Sequence, residues 1–508
     1  MVEHVGREAP LLVGICVGWA WLARRADAFE VLPFPTGFDC FDYLQSAWCI
    51  VHRSALGYAD WRRPLYPAIV GWLGEGMGYI RAGTWVASIS ICLVVVAAGL
   101  GARLLGDAWA GGLAALSVPL VDFAAQASRW INMYPPLAAT IGFAFVAAVW
   151  SLRSSNPRAL LWSGLALALA LAVDGRAIVI VPGCIVLGMV GPLGGMWRSR
   201  LKWMGGALIL FGVIRVATSM LEVVPTLSFW EQLERQRRLM TGPGAVFTLP
   251  GACSIEGPGW ACSQDMLRFN QARIKLFLPF GIPLTVGAFV ASLIPIGGWR
   301  SSLASLAVFG TGIAAVIASS ALLPLEFRYL LPYVVPLVAV VPVALSRLGR
   351  RLHPWASPLL IVGATTWLLL QPREPVRFHQ REFVQQGVPE IIGDLGHRLS
   401  SGGQFLDCTG LQLETAFLPE VHHPLPVGFD PLRCARWVSK PWAERVWMLY
   451  RSDSEAPFVP ENAPGWQRVW QQPLFNVYEA RLLEYRPEEA EREGELGESS
   501  GGDGRGTR

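Results

Sequence analysis

The sequence predicts a polytopic α-helical membrane protein of about eleven transmembrane helices, with a small α/β domain on the outer face at its C-terminal end. Three observations predict it. The chain has 508 residues, 53% of them hydrophobic, 16% charged, and a mean hydropathy of +0.39; a soluble domain carries roughly 25% charged residues. Its apolar residues gather in blocks of about 17–25 residues, the length that crosses a bilayer. Basic residues fall mainly in alternate loops between those blocks, as the positive-inside rule requires.

The blocks read 10–27, 82–104, 108–126, 135–152, 159–174, 177–196, 204–222, 277–298, 303–323, 329–346 and 355–371. With the N-terminus inside, the inner loops hold Arg153 and Arg158, then Arg198, Arg200 and Lys202, then Arg300, then Arg347, Arg350 and Arg351. The outer loops hold far fewer, Arg129, Arg176 and Arg328 being the clearest. This puts the outer loops 28–81 and 223–276, and everything after residue 371, on the extracytoplasmic side of the inner (plasma) membrane. The 22 Trp fit a chain that crosses two aromatic interface belts many times. The net charge of +4 and the lack of a basic-aromatic stripe argue against a nucleic-acid partner.

The first block has the shortest clean apolar run, Leu11 to Ala23, followed by Arg24-Arg25 and by Ala26-Asp27-Ala28, which resembles a signal-peptidase site. Glu3 and Glu8 are wrong for a basic signal n-region, so a retained helix is expected. In the 223–276 loop, Trp230 to Arg238 reads as an interfacial amphipathic helix. Residues 372–486 change to mixed composition. There Arg381–Leu399 reads as an amphipathic helix, and Gln404–Cys408, Val446–Tyr450, Gln467–Trp470 and Phe475–Tyr478 read as strands. Residues 487–508, rich in Glu, Gly and Ser, are expected to be disordered.

Of the nine Cys, Cys16, Cys92 and Cys184 fall in spans and read as small core residues. Cys253 with Cys262, and Cys408 with Cys434, suit disulfides on an oxidising face. A Cys40–Cys49 bridge is disfavoured. His422-His423 lacks metal-ligand spacing, and no set of four zinc ligands stands out, so no metal or other cofactor is expected.

The stretch that carries chemistry is Gly37-Phe-Asp39-Cys-Phe-Asp42-Tyr43, in the first outer loop. Carboxylates at a membrane surface are costly to desolvate, and a carboxylate pair offers a general base. Asp39 also suits a helix N-cap, and Asp42 a solvated face. Arg328, ahead of a span, suits either a phosphate or a lipid headgroup.

Asp39, Tyr43, Ala47, Gly57-Tyr58 and Arg63-Pro64-Leu-Tyr66-Pro67 resemble the first outer loop of GT-C glycosyltransferases. Arg129-Trp-Ile-Asn132-Met-Tyr134-Pro135-Pro136-Leu, the Leu165–Arg176 run ending in Asp-Gly-Arg, and Glu326-Phe-Arg328-Tyr329-Leu-Leu-Pro332 add to the likeness over residues 10–371. The resemblance is nearest to the protein O-mannosyltransferase and aminoarabinose-transferase branch. It implies an inverting transfer of a sugar from a polyprenyl-phosphate donor to an acceptor hydroxyl of a glycan, lipid or protein. Asp39, or Asp42 beside it, would be the base. Arg328, with Arg129 and Arg176 second, would bind the donor phosphate, and Tyr43 and Tyr329 would position these groups. Two departures from the family stand out. Tyr134 occupies a place where many relatives carry a second acid, and Cys40 follows Asp39 where a Glu is common. Beside the transferase reading stands a non-catalytic one, a transporter or an assembly scaffold for envelope glycans.

Overall fold

The computed structural model describes residues 2–26, 28–29, 38–53, 63–153, 158–189, 197–223, 225, 231, 278–294, 299–322, 330–353, 355–371, 388–399, 404–408, 445–451, 465–474 and 478–486. Its helices, in chain order, are α1 (Val2–Ala26), α2 (Phe38–His52), α3 (Leu65–Met77), α4 (Tyr79–Leu105), α5 (Ala108–Ser117), α6 (Asp122–Ala127), α7 (Tyr134–Arg153) and α8 (Ala159–Val173). They continue with α9 (Val181–Met189), α10 (Trp197–Ser219), α11 (Ile282–Ser292), α12 (Trp299–Ser305), α13 (Thr311–Leu322), α14 (Val334–Leu352), α15 (Ala356–Leu370) and α16 (Val388–Leu399). Four strands follow: β1 (Gln404–Asp407), β2 (Val446–Arg451), β3 (Trp466–Leu474) and β4 (Tyr478–Tyr485).

The protein is a helical membrane protein. Among the described residues, four helices are long and apolar enough to cross a membrane: Tyr79–Leu105, Tyr134–Arg153, Arg198–Ser219 and Leu331–Leu352. Shorter apolar helices accompany them. Prolines explain where predicted runs are broken. The 108–126 run becomes α5, a 3-10 turn at Val118–Leu120 and then α6, because Pro119 has no N–H to continue the ladder. The 177–196 run opens with a 3-10 segment, Gly175–Ile180, and α9 begins with Pro182 in its first turn.

The chain divides into two compact units. The first comprises Met1–Val31, Asp60–Tyr66 and Gly83–Val376. In it α1 packs along α5, α7 along α8, α8 along α10, and α14 against α5, α11 and α15. The α1–α5 crossing is set by backbone: a Cβ on Gly14 would lie 2.3 Å from the Gly112 carbonyl oxygen, and one on Gly112 lies 2.4 Å from that of Pro10. Glu8 of α1 accepts from both Nε (2.8 Å) and Nη2 of Arg103 on α4. Glu8, out of place in a signal n-region, is the anchor of α1 in the bundle.

The second unit comprises Leu32–Ala59, Pro67–Ala82 and Arg377–Arg508. Its sheet runs β1-β2-β4-β3, with β1 parallel to β2 and the other two pairings antiparallel. Leu406, Val446, Met448, Tyr450, Trp466 and Leu483 form one core layer. Glu484 is buried and held by the guanidiniums of Arg445 (2.7 Å) and Arg486 (2.9 Å). The strand expected at Phe475–Tyr478 lies, Tyr478 apart, outside the described residues, and β4 runs from Tyr478 to Tyr485. Its Glu479, Arg481 and Glu484 hid its apolar face, which pairs on both sides and buries Ala480, Leu482 and Leu483. The amphipathic helix is described from Val388 rather than Arg381. Cys408 is disulfide-bonded; its expected partner Cys434 lies outside the described residues. So do Arg328, Tyr329, Cys253, Cys262, His422, His423, the 487–508 tail and, Glu231 apart, the Trp230–Arg238 segment.

Candidate active site

In the second unit, α2 carries the acidic pair. It starts at Phe38, so Asp39 lies inside its first turn, where a carboxylate complements the helix dipole. Three residues on, Asp42 is half-buried, and Tyr43, one turn from Asp39, is buried. From Tyr43 to Ile50 every residue is buried, polar Gln45 and Ser46 included. That pattern is unlike an amphipathic loop helix, which shows one face to solvent. α2 is encased over this stretch, and Cys40 beside Asp39 is buried as well. Cys40 and Cys49 are not bridged: both keep their thiols, nine helical residues or about 13 Å apart along the axis, too far for a disulfide. Burial pushes the Cys49 thiol up to about 12, so it stays protonated and unreactive.

In the first unit, two of the sequence motifs meet. α7 opens Tyr134-Pro135-Pro136, with prolines where helix N–H groups have no partner anyway. Asn132, fully buried, accepts the Tyr134 N–H at 3.2 Å and fixes that start. Asp174 ends α8, and its carboxylate accepts the Arg176 N–H at 2.6 Å, opening the next 3-10 segment. Arg176 then points away from the turn. Its Nη1 donates to the Tyr134 hydroxyl at 2.6 Å, and its guanidinium lies 5.4 Å from the centre of that ring. The Arg176 Nε to Asp174 distance is 3.7 Å, a looser contact. Arg129, Asn132, Tyr134 and Asp174 are all buried, while Arg176 is about one-third exposed.

Tyr134 thus gives Arg176 a neutral partner beside the Asp174 carboxylate. A guanidinium so placed can take a phosphate through paired hydrogen bonds. Among the described residues, no three His, Cys, Asp or Glu side chains gather into a metal-holding group.

Three features were missed by sequence reasoning. They are the Tyr134–Arg176 bond, the encasement of α2, and a cluster of His52, Glu75 and Tyr79 in the 28–81 segment. For the cluster there was a faint signal, since Trp48/His52 and Glu75/Tyr79 are each spaced four apart.

No family model matches the chain, and no curated protein matches it in sequence. In structure it is similar to ArnT from Cupriavidus metallidurans. Against the form bound to undecaprenyl phosphate the TM-score is 0.58 at 13% identity, covering 93% of this chain and 97% of that one. Against the apo form it is 0.56 at 14% identity, with the same coverage. The likeness covers nearly the whole of both chains and shows a shared fold.

Proposed function

We propose that this protein is a membrane glycosyltransferase that moves a sugar from a polyprenyl-phosphate donor to an acceptor hydroxyl on the extracytoplasmic face, with inversion. The observation that carries the reading is the end-to-end fold likeness to ArnT in its undecaprenyl-phosphate-bound form. In the scheme, Asp39 at the start of α2 takes the acceptor proton as the acceptor oxygen attacks the anomeric carbon. The bond from that carbon to the phosphate oxygen breaks, and the polyprenyl phosphate leaves with the electron pair. Arg176 and Arg129, together with Arg328, neutralise the charge gathering on the phosphate. Tyr43 and Tyr329 position the reacting groups, and no step calls on a metal ion. Residues 372–486 form the extracytoplasmic domain.

The Tyr134–Arg176 bond supports the phosphate role. A phenol is a weaker partner for a guanidinium than the phosphate anion of the donor. The test is transfer by purified protein in lipid, supplied with a panel of polyprenyl-phosphate sugars and acceptors. Wild type is expected to consume one donor, and Asp39→Asn to lose at least about 100-fold in kcat. Full activity in Asp39→Asn with loss in Asp42→Asn moves the base one turn along α2. Full activity in both removes the base assignment altogether.

A further inference from the structure

We infer that Glu75 is a positioning residue that locks α2, and with it the acidic pair, in place; the inference rests on the transferase reading for its consequence and on geometry for the lock itself. All the groups concerned lie in the second unit. α3 crosses α2 closely: a Cβ on Gly71 would lie 2.6 Å from the Ala47 carbonyl oxygen and 2.8 Å from Val51 Cγ2. One turn on, Gly74 lies under the Tyr79 ring, where a Cβ would be 2.8 Å from its Cγ. Two glycines on one face thus let α3 lie against α2 and against the first residue of α4.

At Gly71 the crossing is made against the Ala47 carbonyl and Val51 with no α3 side chain of its own to key it. Glu75 supplies the stop. One of its carboxylate oxygens accepts the Tyr79 hydroxyl at 2.5 Å and lies 3.4 Å from His52 Nε2. His52 is the last residue of α2, and its ring lies 4.5 Å from that of Trp48, one turn back. Arg53, at φ 52°, turns the chain out of the helix immediately after. A single carboxylate therefore ties the end of α2 to the start of α4.

The lock acts on the far end through helix rigidity. Thirteen residues separate Asp39 from His52, about 20 Å of helix, so Glu75 is too far along α2 to share the proton transfer itself. An encased helix moves as a body, and a shift at His52 is carried to Asp39 and Asp42. Misplacing a base by about 1 Å can cost on the order of 100-fold in rate.

The experiment uses the full chain in lipid nanodiscs and compares wild type, Glu75→Ala, Glu75→Gln and Tyr79→Phe. Amide hydrogen exchange across residues 43–50 reads the lock, and steady-state transfer from the polyprenyl-phosphate sugar panel reads its consequence. Glu75→Ala is expected to speed exchange in α2 and to lower kcat roughly ten-fold, with KM for the donor held within about two-fold. Glu75→Gln keeps an acceptor oxygen for Tyr79 and is expected to return both readouts to within about two-fold of wild type. Unchanged α2 exchange in Glu75→Ala overturns the lock. Wild-type exchange with dead chemistry in Glu75→Gln overturns positioning and makes Glu75 a direct participant. If wild type itself turns over no donor in the panel, the transferase reading fails while the exchange data still decide the lock. If Glu75→Ala does not fold, Tyr79→Phe, which removes one of the two contacts, carries the same comparison.

Discussion

The two ends of α7 use arginine in opposite ways. At its Arg153 end, arginines are spent on backbone. Arg347 is buried and donates to the carbonyls of Leu105 (3.2 and 3.3 Å), Ser292 (2.6 Å) and Ser301 (3.1 Å). Arg200 does the same to Gly188 (2.8 Å) and Ser151 (3.1 Å), and Arg350 to Gly106 (3.3 Å). Leu105, Ser292 and Gly188 stand at or next to helix C-termini, where carbonyls lack partners and the dipole favours a cation. Asp107, which caps α5, also accepts the hydroxyls of Ser346 and Ser357 and knits α5, α14 and α15 together. At the Tyr134 end, about 28 Å away along the helix, Arg176 contacts one phenol closely and one carboxylate loosely. One end turns cations into structural caps; at the other a cation rests on a phenol and, more loosely, a carboxylate.

Substitutions break this comparison in order of size. Arg347→Met strands several buried carbonyls, each costing about 1–3 kcal/mol, so the expected loss is at least about 3 kcal/mol, read as a lower unfolding temperature in detergent. A melting curve within about 1 kcal/mol of wild type would show that the knot is not holding the bundle. Arg176→Ala is expected to leave stability nearly unchanged and to weaken undecaprenyl-phosphate binding by roughly 10–100-fold, measured by titration calorimetry in detergent. Equal stability losses in the two variants would erase the difference between the ends. The smallest effect is expected from Tyr134→Phe, which removes one hydrogen bond worth about 1 kcal/mol. Phosphate-lipid affinity should hold or rise, because Arg176 is released from its resting partner. A loss matching that of Arg176→Ala would mean that the phenol itself contacts the phosphate.

The basic residues of both ends were visible in the sequence, but as a count. Arg153, Arg200, Arg347 and Arg350 read together as an inner-face cluster, and nothing in their spacing revealed that their donors are spent on helix ends tens to hundreds of residues away. Arg129 and Arg176 read as outer-face cations in the same way. The Asn-Met-Tyr-Pro-Pro and Asp-Gly-Arg motifs were each recognisable, whereas the bond between them was not, because it joins residues 42 apart that share no local pattern. β4 escaped because its charged residues diluted its apolar periodicity, and its burial comes from strands on both sides.

What the sequence by itself determined is what depends on local composition. Long apolar blocks must leave water, prolines must interrupt ladders, and Asp39, Asp42 and Tyr43 must fall within two turns once that segment is helical. What only the tertiary structure decided is partnership. It selected which arginines cap helices and which one faces a phenol, it encased α2, and it tied that helix down through Glu75. The physical reason is that hydrogen-bond satisfaction is a property of the closed structure. A buried donor or acceptor must find a partner, and the partner that packing brings near is seldom a neighbour in the chain.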